Sequence, residues 1–120
     1  MNTKHNGLAA LLLGVMCCSA SPVSLAAARD ASTPAKTATY QVEIRNFAFA
    51  PRTLTVPAGA RVVWTNRDDE PHLITSAGGA FTASHALDTS DSYAITFAKP
   101  GTYAYYCSIH PMMVGTIIVQ

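Results

Sequence analysis

The run Tyr105-Tyr106-Cys107-Ser108-Ile109-His110-Pro111-Met112-Met113-Val114-Gly115 sets a thiol, an imidazole and a thioether within seven residues, Cys107 to Met113. A thiolate is a soft donor, an imidazole a borderline one and a thioether a weak one. Together they suit copper cycling between one and two positive charges. The spacing is C-x2-H-x2-M, so the three donors converge on one ion only if the chain turns tightly. Pro111 and Gly115 are the residues expected to supply that turn. One of the three donors is weak, so a further strong ligand has to come from elsewhere in the chain.

The elements that would deliver it are strands. Val42 and Ile44 alternate with Glu43 and Arg45, and Leu54 and Val56 with Thr53 and Thr55. A third strand is expected over Arg61 to Asn66, around the only tryptophan, Trp64. Alternation returns through Tyr93, Ile95 and Phe97, and again through Tyr103, Tyr105 and Cys107. Gly115 to Gln120 reads as a β-branched final strand, and His72-Leu73-Ile74-Thr75 as a short one. No helical period is sustained after Tyr40, and Pro and Gly punctuate the short strands. That pattern predicts an all-β sandwich, whose loops gather at its two ends. His72, which follows Pro71 after the charged loop Arg67-Asp68-Asp69-Glu70, can then meet the Cys107–Met113 loop at one end. The charged loop itself reads as solvated.

Two imidazoles and a thiolate with a weak thioether are the donors of a blue-copper electron-transfer site. Two other readings stand beside it. Structural zinc takes four strong ligands and finds three here, while catalytic zinc with two His, one Cys and a water remains an alternative. Cys107 could also be a small buried structural cysteine.

The N-terminal residues bear on that last reading. Lys4 and His5 precede an apolar run, Leu8 to Met16, and small residues lead to Ser24-Leu25-Ala26 and Ala26-Ala27-Ala28. This is the pattern of a secretory signal peptide over residues 1–28, cleaved after Ala26 or Ala28, and it predicts a periplasmic protein. The apolar run is about half the roughly 20 residues of a spanning helix, so stable membrane insertion is not expected. Cleavage removes Cys17 and Cys18 and leaves Cys107 as the only thiol. No internal disulfide is then possible, and a free thiol in an oxidising compartment needs protection, which metal ligation gives. Residues 29–39 are small and polar and read as a flexible tail, leaving residues 40–120 as one domain. Past the leader the chain carries seven Lys+Arg and seven Asp+Glu, without the clustered basic surface of a nucleic-acid binder.

With these residues in view, the chain from Tyr40 to Gln120 resembles the cupredoxins, the type 1 blue copper proteins, and most nearly their amicyanin-like members. The resemblance is carried by Asn46-Phe47-Ala48-Phe49-Ala50-Pro51, the turn Val56-Pro57-Ala58-Gly59, Trp64-Thr65-Asn66 leading to Pro71-His72, and Gly101 to Met113. The short C-x2-H-x2-M loop is its most specific part. The resemblance implies a Greek-key β-sandwich of about eight strands holding one copper ion. It makes His72, Cys107 and His110 the strong ligands and Met113 the weak axial one, with Met112 the competitor for that place. An exposed Met112 with Pro111 beside His110 would form an apolar docking patch. Asn66 is implied to hydrogen-bond the backbone near Ser108, tying the two halves of the site together, whereas His85 has no counterpart and reads as a solvated loop residue. The implied function is a one-electron carrier with no catalytic residues, not an enzyme. It would be a monomer serving redox partners such as a dehydrogenase donor and a c-type cytochrome acceptor. The alternative is a periplasmic copper-binding or trafficking protein.

Overall fold

The computed structural model describes residues 36–120 and, ahead of them, Gly14 alone. The expected leader, and the tail up to residue 35, lie outside the described residues. Eight strands and no helix are found among the described residues: β1 (Thr39–Arg45), β2 (Ala48–Ala50), β3 (Thr53–Val56), β4 (Ala60–Asn66), β5 (Thr75–Ser76), β6 (Ser92–Phe97), β7 (Gly101–Cys107) and β8 (His110–Val119). They form two four-stranded sheets, ordered β2-β1-β4-β6 and β3-β8-β7-β5. The pairs β1–β4 and β3–β8 are parallel and the others antiparallel. No helix among the described residues is long and apolar enough to cross a membrane.

Period-two alternation decides which side chains face inward. Val42 and Ile44 of β1, Val62 and Trp64 of β4, Tyr105 of β7 and Ile117 and Val119 of β8 are buried between the sheets. Trp64 is the centre of the aromatic packing. Its ring meets Tyr105 at 5.3 Å and 77°, and Phe97 at 6.4 Å, while Phe49 closes on Tyr105 at 4.7 Å. Removing a buried tryptophan of this kind costs about 3–5 kcal/mol.

Two elements differ from expectation. The strand expected over His72 to Thr75 shrinks to Thr75–Ser76, and His72 makes only a lone bridge with Leu87. Conversely, the last strand begins at His110 rather than Gly115.

Candidate metal centre

The site is the outermost layer of the core. The inward face of β7 runs from Tyr105 to Cys107, that of β4 ends at Asn66, and that of β8 reads Met113, Gly115, Ile117, Val119. Cys107, Asn66 and His72 are fully buried and Met113 nearly so. The donors therefore stand where apolar side chains would continue the core.

A two-residue turn, Ser108-Ile109, sets Cys107 opposite His110 across the β7–β8 hairpin. The ladder then slips. Tyr106 faces Val114 instead of Pro111, so residues 111–113 bulge out of β8 with no partner on β7. The bulge separates the two methionines, leaving Met112 91% exposed and Met113 2% exposed, the latter in the same apolar cluster as Cys107. Pro111 and Gly115 do not make the turn, contrary to expectation. Pro111 opens the bulge, and Gly115 lies within β8 opposite Tyr105, whose ring fills the space a Cβ would need.

Three donor atoms converge. Cys107 Sγ lies 3.9 Å from His72 Nδ1 and 3.7 Å from His110 Nδ1, and the two Nδ1 atoms are 3.2 Å apart. The point equidistant from three such atoms is about 2.1 Å from each, which matches the roughly 2.0–2.3 Å at which imidazole nitrogen and thiolate sulfur bind a transition-metal ion. Among the described residues no carboxylate or fourth strong donor joins this group. The backbone N–H of Leu73 donates to Cys107 Sγ at 3.3 Å, a contact that stabilises negative charge on the sulfur.

Behind His72 stands a residue that the sequence pattern does not reveal. Asp68 Oδ2 lies 2.9 Å from His72 Nε2, and the same carboxylate accepts from the backbone N–H of Asn46 at 2.6 Å and of Phe47 at 2.9 Å. Burial alone would push the Asp68 carboxyl up. The donors from Phe47, Asn46 and His72 outweigh it and hold the carboxyl below its ordinary value. With its Nε2 at hydrogen-bond distance from this carboxylate, His72 turns Nδ1 toward the other two donor atoms. Asp68 thus corrects the reading of Arg67–Glu70 as a wholly solvated loop. A carboxylate four residues ahead of a histidine, just past a strand, is the signal that was there to be found.

Asn66 also differs from expectation. Its Nδ2 donates to the carbonyls of Glu70 at 2.8 Å and Leu87 at 2.9 Å, and its Oδ1 accepts from the N–H of Asp68 at 2.9 Å. Both amide hydrogens are thereby engaged, and the expected bond to the backbone near Ser108 is absent. Asn66 instead closes the 67–71 loop and reaches the carbonyl of Leu87, whose N–H bonds the His72 carbonyl at 2.8 Å.

The large apolar residues left exposed, Phe47, Ile109, Met112 and Val114, make up an apolar rim, of which Phe47 packs against the partly exposed His110 and Ile109 is its chain neighbour. Phe47 is a second residue the pattern did not single out for the site. Its ring meets His72 at 5.3 Å and His110 at 5.0 Å, edge-on in both cases. His85 is exposed and stands outside the donor cluster.

Residues 7–119 match the cupredoxin-like domain. The chain is 30% identical over 106 residues to amicyanin-alpha of Methylorubrum extorquens, an alignment covering 85% of this chain and 89% of that protein. It is 31% identical over 83 residues to amicyanin of Paracoccus denitrificans, covering 66% of this chain and 63% of that one, so it spans less than two thirds of this relative. Among solved structures, the purple cupredoxin from Nitrosopumilus maritimus aligns with a TM-score of 0.63 at 35% identity, over 67% of this chain and 98% of that chain.

Proposed function

The chain belongs to the cupredoxin-like family, and from that premise we propose that it is an exported type 1 copper protein that carries single electrons between redox partner proteins. His72 and His110 would hold the ion through Nδ1 and Cys107 through Sγ, with Met113 as the weak fourth donor. Bound copper supplies a reversible one-electron couple. The rest is the work of the chain. Cys107 provides a thiolate whose charge the Leu73 N–H steadies. The buried His72 and Cys107 keep water away and fix the ligand spacing. The partly exposed His110 sets an imidazole edge within the apolar rim.

The observation that carries this reading is the convergence of two imidazole nitrogens and one cysteine sulfur at metal-binding distance, without a fourth strong donor among the described residues. A closed structural zinc site would require that fourth donor. The test is direct. Copper-loaded protein is expected to be intensely coloured and to bleach reversibly with a reductant, and a colourless copper complex would sink the proposal.

The docking surface proposed is the rim, with Met112 and Pro111 at its crest. Replacing Met112 by Lys is expected to slow electron exchange with a partner protein, such as a dehydrogenase or a c-type cytochrome, while leaving the absorption spectrum unchanged. Export to the periplasm belongs to the same proposal, because cleavage after Ala26 or Ala28 leaves Cys107 as the only thiol. N-terminal sequencing of the exported protein should begin at Ala27 or Arg29.

A further inference from the structure

We infer that Asp68 and Phe47 work as one unit: the carboxylate is a positioning residue that fixes His72 and pins the Asn46–Phe47 turn, and the Phe47 ring is thereby held as a cover that keeps small ligands and chelators from the metal. Three observations carry this. The turn between β1 and β2 has positive φ at both residues, 52° at Asn46 and 57° at Phe47. Asparagine adopts that conformation readily, but a bulky aromatic residue does so only where its surroundings impose it. The two-residue hairpin that sets Arg45 opposite Ala48 calls for it at both positions, and the Asp68 carboxylate pins the turn there, since it binds the N–H of both turn residues and the Nε2 of a buried metal-ligand candidate. The ring so placed lies edge-on to both imidazoles while remaining 49% exposed. Burial of apolar surface does not explain a large aromatic side chain left half in water. A cover across the opening between His72 and His110 does.

The unit links two parts of the chain that share no strand pairing at this point. Movement of the turn would loosen His72, and rotation of His72 would release the turn. The carboxylate also selects the His72 tautomer, because an N–H at Nε2 leaves Nδ1 free for an ion.

This inference rests on the proposed copper site, but its first test requires no metal. In the purified metal-free protein, nitrogen-15 resonances are expected to show His72 protonated at Nε2, with slow hydrogen exchange at the Asn46 and Phe47 amides. Asp68→Asn, which cannot accept from all three donors as an anion, should speed those two exchanges by about tenfold or more and alter the His72 ring resonances. The second test uses the copper-loaded protein with Phe47→Gly and Phe47→Asn, both compatible with positive φ. Chelator stripping is expected to accelerate about 10–100-fold in each, and azide to perturb the spectrum of the variants but not of the wild type. Unchanged amide exchange and an unchanged His72 tautomer in Asp68→Asn would overturn the positioning role. Wild-type stripping rates in both Phe47 variants would overturn the cover. A wild type that takes up no copper defeats the copper reading and the cover with it, while amide exchange still decides the role of the carboxylate.

Discussion

His72 and His110 present the same atom, Nδ1, to the same point, yet the protein holds them in opposite ways. His72 is fully buried, its backbone is bonded in both directions to Leu87, and its far nitrogen is bonded to Asp68. His110 follows a two-residue turn, is partly exposed, and has no counterpart of Asp68 among the described residues. One imidazole is part of the interior and the other part of the surface. The difference fits the proposed carrier, in which one histidine would be held fixed and the other would come close to a partner.

Breaking the buried side should have the largest effect. His72→Ala is expected to abolish the coloured copper complex and to cost the metal-free protein about 2–3 kcal/mol, because the Asp68 carboxylate loses a partner while still largely buried. Urea denaturation measures this, and wild-type stability would contradict the assignment of His72 to the interior. Next comes His110→Gly, which should lose the colour but change metal-free stability by less than about 1 kcal/mol. Added imidazole should restore the colour in His110→Gly and fail to do so in His72→Gly; equal rescue would erase the distinction. A smaller effect on the site is expected of Gly115→Ala. The new Cβ would meet the Tyr105 ring, which stabilises the hairpin bearing His110, and the cost should be about 1–3 kcal/mol in thermal or chemical unfolding. The mildest change is Tyr105→Phe, since the buried hydroxyl has no hydrogen-bond partner among the described residues and its removal should alter stability at neutral pH by less than about 1 kcal/mol. Its signature is at alkaline pH. Burial pushes the Tyr105 phenol up to about 12, against a smaller opposing effect of the Trp64 indole. A raised value means that the folded state disfavours the phenolate, so stability is intact below about pH 10 and is lost as pH rises towards 12. Tyr105→Phe should flatten that alkaline loss.

The convergence of His72, Cys107 and His110 was legible in the sequence for a local reason. Cys107 and His110 are set by a two-residue turn, so their spacing alone brings them together, and His72 follows a proline at a loop end. The inward face of β7 was legible because alternation is a property of each strand by itself. What was hidden depends on contacts between distant segments. Asp68 sits in an acidic run that looks solvated, and only the fold brings the Asn46 and Phe47 amides, 22 and 21 residues away, onto its carboxylate. Gly115 reads as a turn former until Tyr105 is known to lie across from it. The three-residue bulge that turns Met113 inward is a register slip, and neither strand records a slip in its own pattern.

The parallel pairing of β3 with β8 has a consequence in time. It matches Thr53 with Thr116, so the second sheet cannot close until nearly the whole domain has been gathered. Chains dominated by such distant pairings fold over milliseconds to seconds, far slower than helical bundles. His72 and Cys107, 35 residues apart, are a distant pair of the same kind. On the copper reading proposed above, an ion held only by the folded state would stabilise that state by mass action, and would act mainly on how slowly the protein comes apart.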